Sequence, residues 1–159
     1  MSRHHDEPAD APVLFGISGD LARKKLFSAL YDLTAAGRLD MPVIGVASRP
    51  WTDEILRREA RSALAETGED VDDGVFATLA ANLCYVAGDY TDRATYGEIE
   101  RRLGDRRQPV FYLAIPPGLF DVLSRALSRK PEDRFANATE FASALSSAAS
   151  VRNTRRTSC

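Results

Sequence analysis

Two glycines, one acid and three basic residues lie within ten positions near the start of the chain, in the stretch GISGDLARKK, residues 16–25. Glycine lets the backbone reverse tightly and lets a ligand approach, because it carries no Cβ. The unpaired N–H groups that begin a helix attract anions. The stretch therefore predicts a phosphate-binding turn, with Gly16 at the tight bend, Gly19 at the closest approach and Ala22 where the helix packs on the sheet. Because the spacing is GxxGxxA and not GxGxxG, a plain turn is the alternative.

The residues around this turn predict strands that alternate with helices. PVLF, residues 12–15, is typical of a strand buried on both faces, and MPVIGVA (41–47), LCYVAG (83–88) and PVFYLAI (109–115) predict three more strands. After the turn, an apolar helical face is predicted from Leu21, Ala22, Leu26, Ala29, Leu30 and Leu33, with Gly37 as the C-cap. Further helices are predicted from Thr52 to about Glu66, around 75–81 and over 95–103. This alternation predicts an α/β fold with a parallel sheet and flanking helices.

Composition and charge exclude several functional classes. The net charge of -2 argues against a broad attraction to nucleic acid or to an anionic membrane. No apolar run approaches the roughly 20 residues of a membrane span, and the N-terminus has no signal-peptide pattern, so we expect a cytoplasmic protein. The cysteines Cys84 and Cys159 have no CxxC partner, and His4 and His5 lie in a polar leader. We therefore expect no metal site.

Longer matches to a known family follow the strand ends. The stretches GISGDLARKKLFSALYDL, PVIGVASRPWTDE, YVAGDYTDRATY and VFYLAIPPGLF occur in this order. Together they resemble glucose-6-phosphate dehydrogenase over residues 12 to about 122, within that family's N-terminal NADP-binding domain. The resemblance implies a Rossmann-like coenzyme domain. It also implies an activity that oxidises glucose 6-phosphate to 6-phosphogluconolactone while reducing NADP.

The resemblance also implies the coenzyme-binding residues. Those of the glycine turn would hold the phosphates and ribose, with a helix lysine facing the site: Gly16, Ser18, Gly19, Asp20, Leu21 and Lys25. Those after the third strand, Asp89 and Tyr90, would lie beside the adenine half. Those after the fourth strand would meet the nicotinamide-side ribose: Ile115, Pro116 and Pro117. A solvated lysine and a plain strand stop are the alternatives for Lys25 and for the two prolines.

One departure from the family concerns the choice of coenzyme. The family usually places arginine directly after Gly-x-Ala, where it clamps the 2′-phosphate of NADP. Here that position is Ser48, and the arginine follows as Arg49. Serine is a poor substitute for a guanidinium in phosphate recognition. We expect NADP as the coenzyme, with NAD possible.

The segments that carry the family's chemistry do not occur in this sequence. Neither the Glu-Lys-Pro-Phe-Gly nor the Arg-Ile-Asp-His-Tyr-Leu-Gly-Lys stretch is present, and the only histidines are His4 and His5. We therefore assign no catalytic residue and expect a truncated domain that is inactive alone. A nucleotide-binding regulatory module with an unknown protein partner and a non-functional gene-fusion remnant are the alternatives.

The end of the chain resembles a different family. LSRALSRKPEDRFANATEFASAL, residues 123–145, is similar to the last helices of bacterial Ser/Thr protein kinases, and Arg134 matches an arginine that pairs with a glutamate there. A chance pair of amphipathic helices is the alternative. Arg134 is expected to face solvent or to pair with Glu132 or Asp133. The predicted organisation is a disordered leader (1–10), a dinucleotide-binding domain (11–122), a helical tail (123–149) and a disordered end (150–159).

Overall fold

The computed structural model describes residues 9–115, Leu119 and Leu123. Four strands form one parallel sheet: β1 (Ala11–Phe15), β2 (Val43–Ala47), β3 (Leu83–Ala87) and β4 (Pro109–Leu113), in the order β3-β2-β1-β4. The predicted fold class and the four strands are confirmed. Since all the strands run in the same direction, their carboxyl ends meet at one edge of the sheet, where such folds bind ligands.

Four helices accompany the strands: α1 (Phe27–Ala35), α2 (Asp53–Glu66), α3 (Asp73–Asn82) and α4 (Arg93–Leu103). Their ends follow local signals. Thr52 caps α2, because its hydroxyl accepts the Ile55 N–H at 3.3 Å. Gly37, with φ of 66°, follows α1, and the next N–H, that of Arg38, donates to the Leu33 carbonyl at 2.8 Å. The helix starts and stops predicted at these positions are confirmed.

The described residues belong to two compact units. The first unit contains residues 9–88 and 94–114, and therefore all four strands. The second contains, of the described residues, 89–93, 115, 119 and 123. The predicted boundary at residue 122 stays a prediction.

The hydrophobic core of the first unit lies between one face of the sheet and the helices α1 to α3. Alternate strand residues and one side of each helix contribute to it, among them Leu14, Val43, Leu83, Phe27, Leu30, Leu56 and Leu79. Fully burying a large side chain of this kind contributes about 1.5–3 kcal/mol. This core holds the carboxyl ends of β1 to β3 in fixed register.

A π-helical turn, Ala22–Leu26, precedes α1 and changes its buried face. The Phe27 N–H donates to the Ala22 carbonyl, five residues back, so that this turn holds an extra residue. Leu26 and Phe27 are consequently both buried. The apolar face predicted from regular spacing is wrong at three positions, because Leu21 is 48% exposed, Leu33 is 37% exposed and Ala29 is also exposed.

The two edge strands differ in how they are covered. Along β3, the Asp53 carboxylate accepts the Tyr85 N–H at 2.6 Å and the Arg57 guanidinium donates to the Leu83 carbonyl at 3.1 Å. Along β4, Val110 is 52% exposed and Tyr112 is 45% exposed, although the sequence of this strand is as apolar as that of the others. The edge of β3 is therefore blocked by polar side chains of α2.

Most of the predictions for the two ends of the chain lie outside the described residues. These include the leader, the two tail helices, the frayed end and Arg134. Leu123, at the start of the predicted helical tail, is described and is fully buried. No helix in the described part of the chain is long and apolar enough to span a membrane.

Candidate dinucleotide site

The glycine turn leaves the carboxyl end of β1 and leads directly into a helix. Gly16 has a φ of 84°, a conformation that side chains disfavour, and its N–H donates to the Val46 carbonyl of β2 at 2.8 Å. The Gly19 N–H closes the turn on the Gly16 carbonyl at 3.0 Å. The Gly19 carbonyl then accepts the Arg23 N–H at 3.1 Å, the first bond of the helix. A Cβ on Gly19 would lie 3.3 Å from the Gly16 oxygen, so the backbone is bare and tightly folded here.

The turn rests on β2 through a contact that the sequence analysis missed. Ile17 is 1% exposed, and a Cβ added to Gly45 would lie 2.8 Å from Ile17 Cγ2. The only available signal was a glycine inside a strand, which often marks a close approach. The packing of the Ile17 side chain on Gly45 therefore holds the turn at a fixed distance from β2.

The other predicted residues of the turn are accessible. Ser18 is half-buried, Asp20 is exposed, and Leu21 has nearly half of its surface exposed. Ala22 is fully buried, in agreement with its predicted packing position. The turn thus presents bare backbone, the polar side chains of Ser18 and Asp20 and part of Leu21, while Ile17 and Ala22 face the protein interior.

The three basic residues after the turn have different environments. The Arg23 guanidinium donates to Glu66 at 2.5 and 3.1 Å and to Glu59 at 3.1 Å. These bonds, that to Glu66 above all, raise the pKa of Arg23 further above its ordinary value. Lys24 and Lys25 are exposed and form no ion pair with any other described residue. Arg23 therefore ties the π-helical turn to α2, whereas neither lysine is held by an acidic side chain of the described residues.

Ser48 and Arg49 leave the carboxyl end of β2, the strand next to the turn, and both are exposed. The Arg49 carbonyl accepts the Tyr85 hydroxyl at 2.8 Å. The Arg49 guanidinium carbon lies 5.9 Å from the centre of the Trp51 ring. The backbone and the side chain of Arg49 are thus each held by an aromatic residue.

The remaining predicted residues belong to the second unit or lie outside the described part. The Asp89 carboxylate accepts the Thr91 hydroxyl at 2.6 Å and the Thr91 N–H at 2.7 Å, and these bonds lower the pKa of Asp89. Tyr90 and Ile115 are half-buried. Pro116 and Pro117 are not among the described residues. The coenzyme contacts predicted for these five residues stay predictions.

The chemistry that this arrangement supports is binding of a phosphate-rich ligand. The N–H groups at a helix start, two exposed lysines without an ion pair among the described residues and an oriented arginine all favour anions. Within the described ranges, no group of three or more His, Cys, Asp or Glu side chains could hold a metal ion.

Comparison with known proteins agrees with the fold and with the turn. The family model described as glucose-6-phosphate dehydrogenase, NAD binding domain, matches residues 13–151. A glucose-6-phosphate 1-dehydrogenase of Mycobacterium bovis is 44% identical over 112 residues, which cover 70% of this chain and 24% of the relative. A glucose-6-phosphate 1-dehydrogenase of Bacillus subtilis is 29% identical over 133 residues, which cover 77% of this chain and 26% of the relative. The chain thus spans about a quarter of the length of these curated relatives.

Two solved structures extend the comparison to three dimensions. The chain is similar to a glucose-6-phosphate 1-dehydrogenase from Mycobacterium avium, with a TM-score of 0.72 and 40% identity, over 89% of this chain and 34% of that one. It is also similar to a glucose-6-phosphate dehydrogenase in complex with its substrate glucose-6-phosphate. The TM-score is 0.65 and the identity 26%, over 87% of this chain and 34% of that one.

The family match also bears on the end of the chain. It runs to residue 151 and so includes the segment 123–149 that resembles kinase helices. None of these matches supports the kinase resemblance, which stays a prediction. The parallel sheet, the glycine turn after β1 and the family match together show that this chain belongs to the glucose-6-phosphate dehydrogenase family, as its N-terminal dinucleotide-binding domain.

Proposed function

We propose that the turn from Gly16 to Leu21 binds the phosphates and the adjoining ribose of NADP, with Lys25 contributing its charge. The observation that carries this proposal is the geometry of the turn. It combines a positive φ at Gly16, a Gly19 whose added Cβ would lie only 3.3 Å from the Gly16 oxygen and a helix that begins directly afterwards, all at the carboxyl end of a parallel strand. The residues present therefore fit a dinucleotide.

We propose further that Arg49 gives NADP an advantage over NAD. NADP differs from NAD by a 2′-phosphate on the adenine ribose, and guanidinium is the side-chain group that best matches a phosphate. Arg49 is exposed beside the turn, and the neighbouring Ser48 offers a further hydroxyl donor. The family resemblance is the support for proposing coenzyme contacts at Asp89, Tyr90, Ile115, Pro116 and Pro117 as well.

The activity of the family belongs, in this proposal, to a protein that also carries the substrate-binding segments. NADP, when bound, supplies the hydride acceptor for the oxidation of glucose 6-phosphate. This chain's own residues bind and orient the coenzyme. Its sequence contains neither of the two stretches that hold the sugar phosphate and take up its proton. We propose that the 159-residue chain alone is a coenzyme-binding domain without turnover, and that it resides in the cytoplasm.

Calorimetric titration of the full chain with NADP and with NAD tests the coenzyme assignment. We expect NADP to bind, and Gly19→Ala to weaken binding about tenfold, because the new methyl group occupies the closest approach of the phosphates. Gly97→Ala is the matched control, since Gly97 is exposed on α4 with nothing within 4 Å of an added Cβ. Absence of binding by the folded wild-type chain would overturn the proposal.

For residues 123–149 we propose an origin in a protein kinase, supported by the run KPEDRFANATEF and by the position of Arg134 within it. The family match across the same residues is the competing explanation. We expect a chain that ends at residue 122 to bind NADP within twofold of the full chain. A loss of affinity above fivefold would tie this segment to the coenzyme domain and would contradict the kinase origin.

A further inference from the structure

Tyr85 connects the interior of the sheet with the exposed arginine beside the glycine turn. It lies on β3 and is 3% exposed, and its N–H donates to the Asp53 carboxylate at 2.6 Å. Its hydroxyl reaches across the end of β2 and lies 2.8 Å from the Arg49 carbonyl oxygen and 3.1 Å from that of Ala47. The residue is therefore held both at its backbone and at the tip of its side chain.

The hydrogen bonds at this point show which carbonyl depends on Tyr85. A phenol has one proton to donate. The Ala47 carbonyl also accepts the Gly88 N–H at 3.0 Å, and so it has a backbone donor beyond the end of β3. The Arg49 carbonyl accepts the Trp51 N–H at 2.8 Å from within the same short segment, whereas the Tyr85 hydroxyl reaches it from a different element. Tyr85 thus fixes the Arg49 peptide relative to the sheet.

Trp51 acts on the side chain of the same residue. Its ring lies 5.8 Å from the Tyr85 ring, centre to centre, and it packs against the hydrophobic core. The guanidinium carbon of Arg49 lies 5.9 Å from the centre of the Trp51 ring, within the range of cation–π attraction. An exposed arginine loses rotamer freedom when it binds a ligand, and this contact removes part of that freedom beforehand.

We propose that Tyr85 and Trp51 are positioning residues that hold Arg49 ready for the 2′-phosphate of NADP, and that they thereby set the preference for NADP over NAD. This inference rests on the proposed coenzyme function. It explains how an arginine one position later than usual serves this purpose: the Tyr85 bond sets the direction of its backbone, and the Trp51 ring sets the direction of its side chain. Neither residue touches the coenzyme in this proposal.

The test compares Tyr85→Phe with Tyr31→Phe in the full chain. Each change removes a phenol oxygen that forms a hydrogen bond to backbone. In the control, Tyr31 lies on α1 and its hydroxyl accepts the Asp72 N–H at 2.8 Å. Calorimetry gives the NADP and NAD affinities of each variant. We expect Tyr85→Phe to lower the ratio of NADP to NAD affinity about fivefold, the effect of freeing one long side chain, and Tyr31→Phe to leave it within twofold.

Two further variants separate positioning from general damage. In an Arg49→Ala background, Tyr85→Phe should no longer change the affinity ratio, because the group that it positions is absent. Trp51→Leu should lower the ratio while leaving the Tyr85 bonds in place, and it serves if Tyr85→Phe fails to fold. If the wild-type chain binds both dinucleotides, but the ratio of NADP to NAD affinity is the same in Tyr85→Phe and in Trp51→Leu as in the wild type, this inference alone is overturned. A wild-type chain that binds neither would overturn the proposed function as well.

Discussion

Replacing Gly45 by alanine tests whether the sheet supports the glycine turn through Ile17. The new Cβ would lie 2.8 Å from Ile17 Cγ2 and 3.0 Å from Cγ1, where ordinary contacts begin at 3.4 Å. Gly45 is not among the described glycines with positive φ, so alanine meets no backbone strain. We therefore attribute any loss of stability in this variant to the contact with Ile17.

The expected magnitude follows from the confinement of Ile17. This side chain is almost fully buried, and its neighbour Gly16 is bonded to β2, so it cannot swing into solvent. Inserting a methyl group into such packing costs about 1–3 kcal/mol. The lower chain entropy of alanine in the unfolded state offsets about 0.4–1 kcal/mol. We expect Gly45→Ala to lower the free energy of unfolding by about 1.5 kcal/mol, and Gly97→Ala, in an open position on α4, to raise it by about 0.5–1 kcal/mol.

Urea denaturation, followed by the fluorescence of Trp51, the single tryptophan of the chain, measures these differences. Ile17→Ala alone should cost about 2–5 kcal/mol. In the double variant, however, the methyl group introduced at position 45 fills part of the vacated space. The double variant should therefore lose at least about 1 kcal/mol less than the sum of the losses of the two single variants. Strict additivity, or a Gly45→Ala variant as stable as Gly97→Ala, would refute the view that these two residues touch.

Three further outcomes are expected. Arg23→Ala should lower stability, less so at high salt, and should leave NADP affinity unchanged. Lys25→Ala should instead weaken NADP binding about tenfold in calorimetry. Equal effects of the two changes on NADP binding would contradict these assignments. Hydrogen bonds from Arg101 and Arg102 lower the pKa of Glu98 from 4.5 to about 2. The stability that this carboxylate contributes is thus present above pH 4.5 and lost as the pH falls towards 2, and NMR titration should show its pKa rising in Arg101→Ala. The purified chain should not turn over glucose 6-phosphate in an NADPH absorbance assay, and any turnover free of host enzyme would disprove this.

The sequence predicts the fold well because its signals are local. Apolar runs stopped by glycine mark the strands, and residues such as Thr52 and Gly37 mark helix ends through bonds that reach only a few positions along the chain. The glycine turn belongs largely to the same class, since two of its bonds join Gly16, Gly19 and Arg23, although a third joins Gly16 to Val46 of β2. These features follow from the sequence itself and lead to the parallel sheet and to the turn at its carboxyl edge.

The roles of individual side chains at this edge could not be predicted in the same way. Arg23 and Lys25 look equivalent in sequence, yet Arg23 is committed to Glu66, 43 positions away. Tyr85 reads as an ordinary strand residue, yet it holds the Arg49 carbonyl 36 positions away. The π-helical turn exposes Leu21 and buries Phe27, against the regular spacing. Such contacts depend on how helices and strands pack on one another, and no short-range pattern along the chain indicates which distant residues will meet.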